Sequence, residues 1–120
     1  MTPSMEKQIH VCRNLTTVCS RHYEDGYFRF IYVDARHDFK GVAADLEAYW
    51  PKLKVGGIIA GHDYITNDES GQNWTVNYDG TIDRTGTVVK GAVDAFAATV
   101  CRQVTASYRE DSFNTWAMRK

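Results

Sequence analysis

The stretch FIYVDARHDF, residues 30–39, opens as an unbroken apolar run from Phe30 to Val33, then presents Asp34, Arg36, His37 and Asp38 within five residues. An apolar run without alternation is the pattern of a strand covered on both faces, and such strands are usually parallel and interior. The pattern predicts a buried strand over 27–33 with a polar carboxyl end. An ionised carboxylate just beyond a buried strand is costly unless it is paired or coordinated, so Asp34 reads as a functional residue.

Downstream, apolar residues at 39, 42, 46, 49/50 and 53 form one helical stripe, predicting a helix from Phe39 to near Lys54. Pro51 either kinks its last turn or stops it at Trp50, and Lys52 and Lys54 then suit the negative end of the helix dipole. Val55 to Gly61 reads as a turn and a second short buried strand, broken by His62-Asp63-Tyr64. Residues 65–87, rich in Asn, Asp, Gly and Thr, predict a long loop with a small hairpin through Tyr78-Asp79-Gly80-Thr81.

A helix follows on the stripe Val89, Ala92, Val93, Phe96, Ala97 and Val100, with Thr87 as its N-cap. Val104–Tyr108 and Phe113–Met118 predict an antiparallel strand pair. Upstream, Met5, Ile9, Val11, Cys12, Leu15, Val18 and Cys19 lie at roughly helical spacing, predicting an amino-terminal helix within 1–23, from about residue 4 with Ser4 as N-cap. Strands alternating with helices imply an α/β fold with a mainly parallel sheet and right-handed crossovers, ending in the antiparallel pair. At 120 residues the chain is one domain, 1–120.

Ligands of open α/β sheets bind beyond the carboxyl ends of the parallel strands. If the two predicted strands are neighbours, Asp34 and Asp63 come close, and paired carboxylates need a shared proton or a cation. Mg²⁺ answers that need, while His37 or His62 as a further ligand moves the preference toward Zn²⁺ or Mn²⁺. Local roles compete with this: Asp38 as a helix cap, Asp63 in its own turn, His62 as a core histidine. Trp74 and Tyr78 are either loop aromatics or parts of a substrate lid, and Arg36 is either a surface residue or an anion clamp.

A formal net charge of −1 supplies no field to attract nucleic acid or an anionic membrane. Cys12, Cys19 and Cys101 form no CxxC pair and are odd in number, predicting reduced thiols, with Cys12 and Cys19 on one packed helical face. The residues MTPSMEKQIH lack the apolar core of a signal peptide, so a cytoplasmic location is expected and the sequons at Asn14 and Asn73 are expected to stay unmodified.

The run FIYVDARHDFKGVAADLEAYWPKLKVGGIIAGHDY, with the later VKGAVDAF, resembles the class I S-adenosylmethionine-dependent methyltransferases, specifically methyltransferase family 24. It is similar, more distantly, to the cation-dependent O-methyltransferases of caffeoyl-coenzyme A and catechol type. The resemblance covers residues 23–119 and corresponds to the carboxyl-terminal half of that partial Rossmann-like fold. It implies O-methylation of a small molecule, with Asp34 near both the cofactor and a metal and Asp63 as a second metal-binding acid; Ala35, beside Asp34, is expected at the cofactor, and His62, by its donor chemistry, toward the metal.

His37 stands where cation-dependent members carry a lysine, and an imidazole there suits a catalytic base. Tyr64 stands where those members carry an asparagine ligand. Gly56-Gly57 precedes a strand, so it is not the glycine-rich turn that cradles the cofactor. Without the family's first strands, 28–33 becomes an apolar edge, expected to pair with a second copy or a complementary half, or to be covered by the amino-terminal helix. Two alternatives follow: an inactive binding or assembly module, and a metal-dependent hydrolase built on Asp34, His37, His62 and Asp63.

Overall fold

The computed structural model describes residues 8–107 and 114–120. Their elements are α1 (Thr16–Cys19) running into a 3-10 turn (Ser20–His22), β1 (Phe28–Val33), α2 (Phe39–Tyr49), β2 (Leu53–Gly61), α3 (Asn67–Ser70), α4 (Val88–Val100), β3 (Thr105–Ala106) and β4 (Trp116–Arg119). The sheet order is β1-β2-β4-β3, with β1 and β2 parallel and both other pairs antiparallel. This is a small α/β fold with a mixed four-stranded sheet, α2 connecting the parallel strands.

The apolar stripes of α2 and α4 meet one face of the sheet. Val42, Leu46, Val89, Val93 and Ala97 pack with Ile31, Leu53, Ile59, Trp116 and Met118 in one core. No helix among the described residues is long and apolar enough to cross a membrane.

β1 is an edge strand, and it is not covered on both faces. Ile31 is 9% exposed, whereas Phe30 and Tyr32 on the other face are 58% and 48% exposed. Aromatic residues are common on strands for their shape, so an apolar run here masked a one-sided strand.

Of the amino-terminal helix predicted within 1–23, the described part is helical over Thr16–His22 and not over residues 9–15. Cys12 and Cys19 form a disulfide with their Cα atoms 6.0 Å apart, which corrects the expectation of reduced thiols. Seven residues of straight helix span about 10.5 Å, so the helix and the bridge are incompatible. Ser4 lies outside the described residues; Cys101 is free and exposed.

α2 stops at Tyr49, with Trp50 donating back to Leu46 and Pro51 unable to continue the ladder. Lys54 belongs to β2, and Lys52 pairs with Asp25 at 3.0 Å. The Tyr49 and Trp50 carbonyls accept from the amides of Lys52 and Leu53, and Lys120 Nζ donates to the Trp50 carbonyl and to that of Leu53 at the start of β2, at 2.8 Å each.

β2 starts earlier than predicted, and Gly56-Gly57 lies within it. Gly56 has φ +84°, and the register with β1 jumps between the pairs Phe28–Leu53 and Phe30–Ile58. The glycines make a bulge that lets β2 realign with β1.

The predicted hairpin is present as the bridge Val76–Ile82, with Asn77 donating from its amide to Thr81 at 2.8 Å. The 65–87 segment also holds α3, closed by a capping box between Thr66 and Glu69. Thr87 makes no side-chain cap on α4; Asp83 does, accepting from the Val88 amide at 3.0 Å. The carboxyl-terminal strands pair as predicted but are shorter, and the join at 108–113 lies outside the described residues.

Candidate active site

The two parallel strands end level: Val33 is the register partner of Gly61. A Cβ on Gly61 would fall 2.5 Å from the Val33 oxygen and 2.6 Å from the Trp116 ring, so only glycine lets the strands close here. Asp34 leaves β1 immediately after this point, and Asp63 leaves β2 two residues after it.

Asp63 adopts φ +62°, a left-handed conformation that Asp tolerates better than most residues. Its carbonyl accepts from the Ile65 amide at 2.7 Å, and the Tyr64 amide donates a hydrogen bond to the Asn114 carbonyl at 3.0 Å. The turn buries the Asp63 side chain beneath two imidazoles. His37 Nε2 lies 2.8 Å from its Oδ2, and His62 Nδ1 lies 3.0 Å from its Oδ1.

Ligand atoms of Asp34, His37 and Asp63 all lie within 4.8 Å of one another. Asp34 is exposed, His37 half-buried and Asp63 buried, so the cluster opens to solvent on one side. Two carboxylates and an imidazole offer oxygen and nitrogen donors to a divalent cation, so the residues fit such an ion. His62 meets the cluster at Asp63, and the three clustered ligand groups are those of Asp34, His37 and Asp63.

The His37 ring is stacked on Trp74, with centroids 4.4 Å apart and planes 21° apart. Trp74 is itself fixed by its amide, which donates to Asn67 Oδ1 at 2.7 Å. The 65–87 loop thus carries one face of the site. A cavity of about 340 Å³ lies here, lined by Arg36, His37, Asp38, Asn73 and Trp74.

Asp38 caps α2, accepting from the Gly41 amide at 3.0 Å, and also latches the hairpin by accepting from the Tyr78 amide at 2.8 Å. Its other oxygen accepts from Arg36 Nε at 2.8 Å. Burial pushes this carboxyl up, but the Arg36 side chain and the two amides outweigh it and hold the pKa below the ordinary value. Arg36 therefore belongs to Asp38 and lies over the Tyr78 ring, 5.2 Å from its centroid.

Asn77 and Lys40 were not singled out by sequence reasoning. Asn77 Oδ1 accepts from the Lys40 amide at 3.0 Å, and Lys40 pairs with Asp79 at 2.8 Å. Asn77 and Asp79 carry one local signal, the Asn-Tyr-Asp-Gly turn, whereas Lys40 on α2 carries none. Tyr64 turns away from the cluster: its hydroxyl donates to Asp94 on α4, and burial with that carboxylate raises its pKa well above the ordinary value.

Asp34 and Ala35 line a second cavity, of about 250 Å³, between the end of β1, α1 and α2. Sites that enclose a drug-sized ligand run to roughly 300–1,000 Å³. These residues therefore fit one wall of a nucleoside cofactor's site, not its enclosure. Among the described residues no glycine-rich turn joins a strand to a helix.

No curated protein matches the chain in sequence. In fold it is similar to a Corynebacterium glutamicum protein (TM-score 0.64, 12% identity, 97% of this chain and 51% of that one). It is also similar to a provisionally named caffeoyl-CoA O-methyltransferase from Staphylococcus aureus (TM-score 0.60, 13% identity, 96% and 53%). A third is an O-methyltransferase from Bacillus cereus solved in complex with SAH (TM-score 0.55, 17% identity, 88% and 46%). The chain thus spans about half the length of these structures. A family model described as a methyltransferase domain matches residues 3–64, about half of the chain and including the strand end at Asp34 and the acid at Asp63. The chain belongs to this methyltransferase domain family.

Proposed function

We propose that the chain forms the metal and acceptor side of an S-adenosylmethionine-dependent O-methyltransferase acting on a small hydroxylated molecule. The observation that carries this reading is the convergence of Asp34, His37 and Asp63 at the level ends of β1 and β2.

Asp34 and Asp63 would hold a divalent cation, Mg²⁺ by the preference of carboxylate oxygens, and a bound cation lowers the pKa of an acceptor hydroxyl. S-adenosylmethionine, when bound, supplies an electrophilic methyl group. Asp34 and Ala35 lie on the cavity wall that would face it.

His37 is the proton acceptor. Asp63 accepts a hydrogen bond at Nε2, which favours the neutral tautomer protonated there and leaves Nδ1 basic. Trp74 holds the ring plane, and His62 orients Asp63 from its other oxygen. Positioning of the acceptor beside the cofactor wall supplies the remaining acceleration.

The test is calorimetric titration with S-adenosylmethionine, with and without Mg²⁺. The reading requires saturable binding that weakens in Asp34→Ala. No heat at millimolar cofactor in either condition would overturn it for the isolated chain.

A second reading rests on the β1 edge, which has exposed Phe30 and Tyr32 and, among the described residues, no strand on its outer side. On this reading the chain assembles with a second copy or a complementary half through 28–33, completing the cofactor wall. Light scattering that finds a monomer at all concentrations, unchanged by Phe30→Lys, would remove it.

A further inference from the structure

The segment leading into α1 is tied down by one covalent bond. Residues 9–15 are exposed throughout, Ile9 at 62%, Val11 at 75% and Leu15 at 68%, and no backbone hydrogen bond among the described residues joins 9–14 to the rest of the fold. The Cys12–Cys19 disulfide supplies the tie. Val11, Leu15 and Val18 follow helical steps of four and three, and the bridge forbids the helix they would form. The bent course of 9–15 is therefore imposed by the bridge and not by local preference.

Between the two cysteines, at the start of α1, lies Thr16. Its hydroxyl donates to Asp45 and its carbonyl accepts from the Tyr49 hydroxyl at 2.8 Å, and these two bonds tie α1 to α2. α1 is a four-residue helix without a side-chain cap, too short to persist by itself. Thr16 and Tyr49 line the same cavity of about 250 Å³ as Asp34 and Ala35, so the position of α1 fixes part of the wall assigned above to the cofactor.

We propose that Cys12–Cys19 is a redox switch on that wall: the bridged form holds Thr16 in the lining of the cavity, and the reduced form releases it. This regulation rests on the functional reading above, since it acts on the same cavity. The reductant is a vicinal dithiol. Cys12 is exposed and Cys19 is 7% exposed, so one thiolate of the reductant enters at Cys12 Sγ, the S–S bond breaks, and Cys19 leaves as a thiolate that takes up a proton. The second thiol then displaces Cys12 from the mixed disulfide. The protein gains two thiols, and the reductant becomes a cyclic disulfide.

The experiment compares the full chain in its oxidised form and after dithiothreitol. Free thiols should rise from one to three, with the sheet retained by circular dichroism. In NMR spectra the amides of Thr16, Asp34, Ala35 and Tyr49 should shift, those of α4 should stay in place, and reoxidation should restore the first set. Calorimetry with S-adenosylmethionine should show at least ten-fold weaker binding to the reduced form, and the double variant Cys12→Ser, Cys19→Ser should bind as weakly with or without dithiothreitol. Thiols that do not appear in excess dithiothreitol, loss of the sheet on reduction, unmoved Asp34 and Ala35 amides, or equal cofactor affinity of the two forms would each overturn the switch. If the cofactor binds neither form, the functional reading fails by itself, and the Asp34 and Ala35 amides still decide the switch.

Discussion

Asp63 accepts from Nε2 of His37 at 2.8 Å, joining a side chain that follows β1 to one that follows β2 across the level ends of the sheet. With Asp34, the pair places an imidazole and two carboxylates in one small volume, although a helix and a strand separate Asp34 from Asp63 along the chain.

Asp63→Asn should separate the roles of charge and shape. Asn also tolerates the left-handed backbone at φ +62°, so the fold should survive, with a change in stability within about 1 kcal/mol. Divalent cation binding, followed by calorimetry with Mn²⁺ or Mg²⁺, should fall at least ten-fold. Unchanged cation affinity would show that the cluster does not hold the metal.

Gly61→Ala should be strongly destabilising. Its Cβ would meet the Val33 oxygen at 2.5 Å and the Trp116 ring at 2.6 Å, neither of which is the free end of a flexible chain. A loss of about 2–3 kcal/mol in urea unfolding is expected, within the range of overpacked cores.

Asp38→Asn should weaken the latch between α2 and the 76–82 hairpin by about 1–2 kcal/mol at neutral pH, since it removes a charged cap and the Arg36 pair. The folded pKa of Asp38 lies below its unfolded value, so its contribution is present above the unfolded pKa, near 3.9, and is lost as pH falls through the folded one. Acid titration of stability should therefore be flatter in the variant below pH of about 4. Parallel curves for the two proteins would contradict this.

Reduction of Cys12–Cys19 should cost about 2–3 kcal/mol, the loop-closure entropy of a short bridged segment. The double variant Cys12→Ser, Cys19→Ser should show the same loss in thermal unfolding. It should also loosen Thr16, whose carbonyl and hydroxyl tie α1 to Tyr49 and Asp45 on α2. Amide exchange at residues 16–19 should rise while that of α4 stays unchanged.

The strand end at Asp34, the second acid at Asp63, the cap at Asp38 and the stripes of α2 and α4 were all legible in the sequence. Each rests on local rules: burial cost, capping geometry and helical period. The α2 boundary was legible only as a choice, because Pro51 admits either a kink or a stop; the strand demand of Leu53 to Gly61 selected the stop.

What the sequence by itself determined is therefore the element order and the chemistry offered at two strand ends. Tertiary structure alone decided the rest, because it depends on which distant residues meet. The parallel register Val33–Gly61 set Asp34 beside Asp63, and a left-handed turn brought Asp63 under His37. The open flank of β1 left Phe30 and Tyr32 exposed, and the packing of α1 on α2 set Thr16 against Asp45 and Tyr49, burying Asp45 with one oxygen unpartnered among the described residues. Burial and pairing are properties of contacts between distant segments, and periodicity along one segment carries no information about what will cover it.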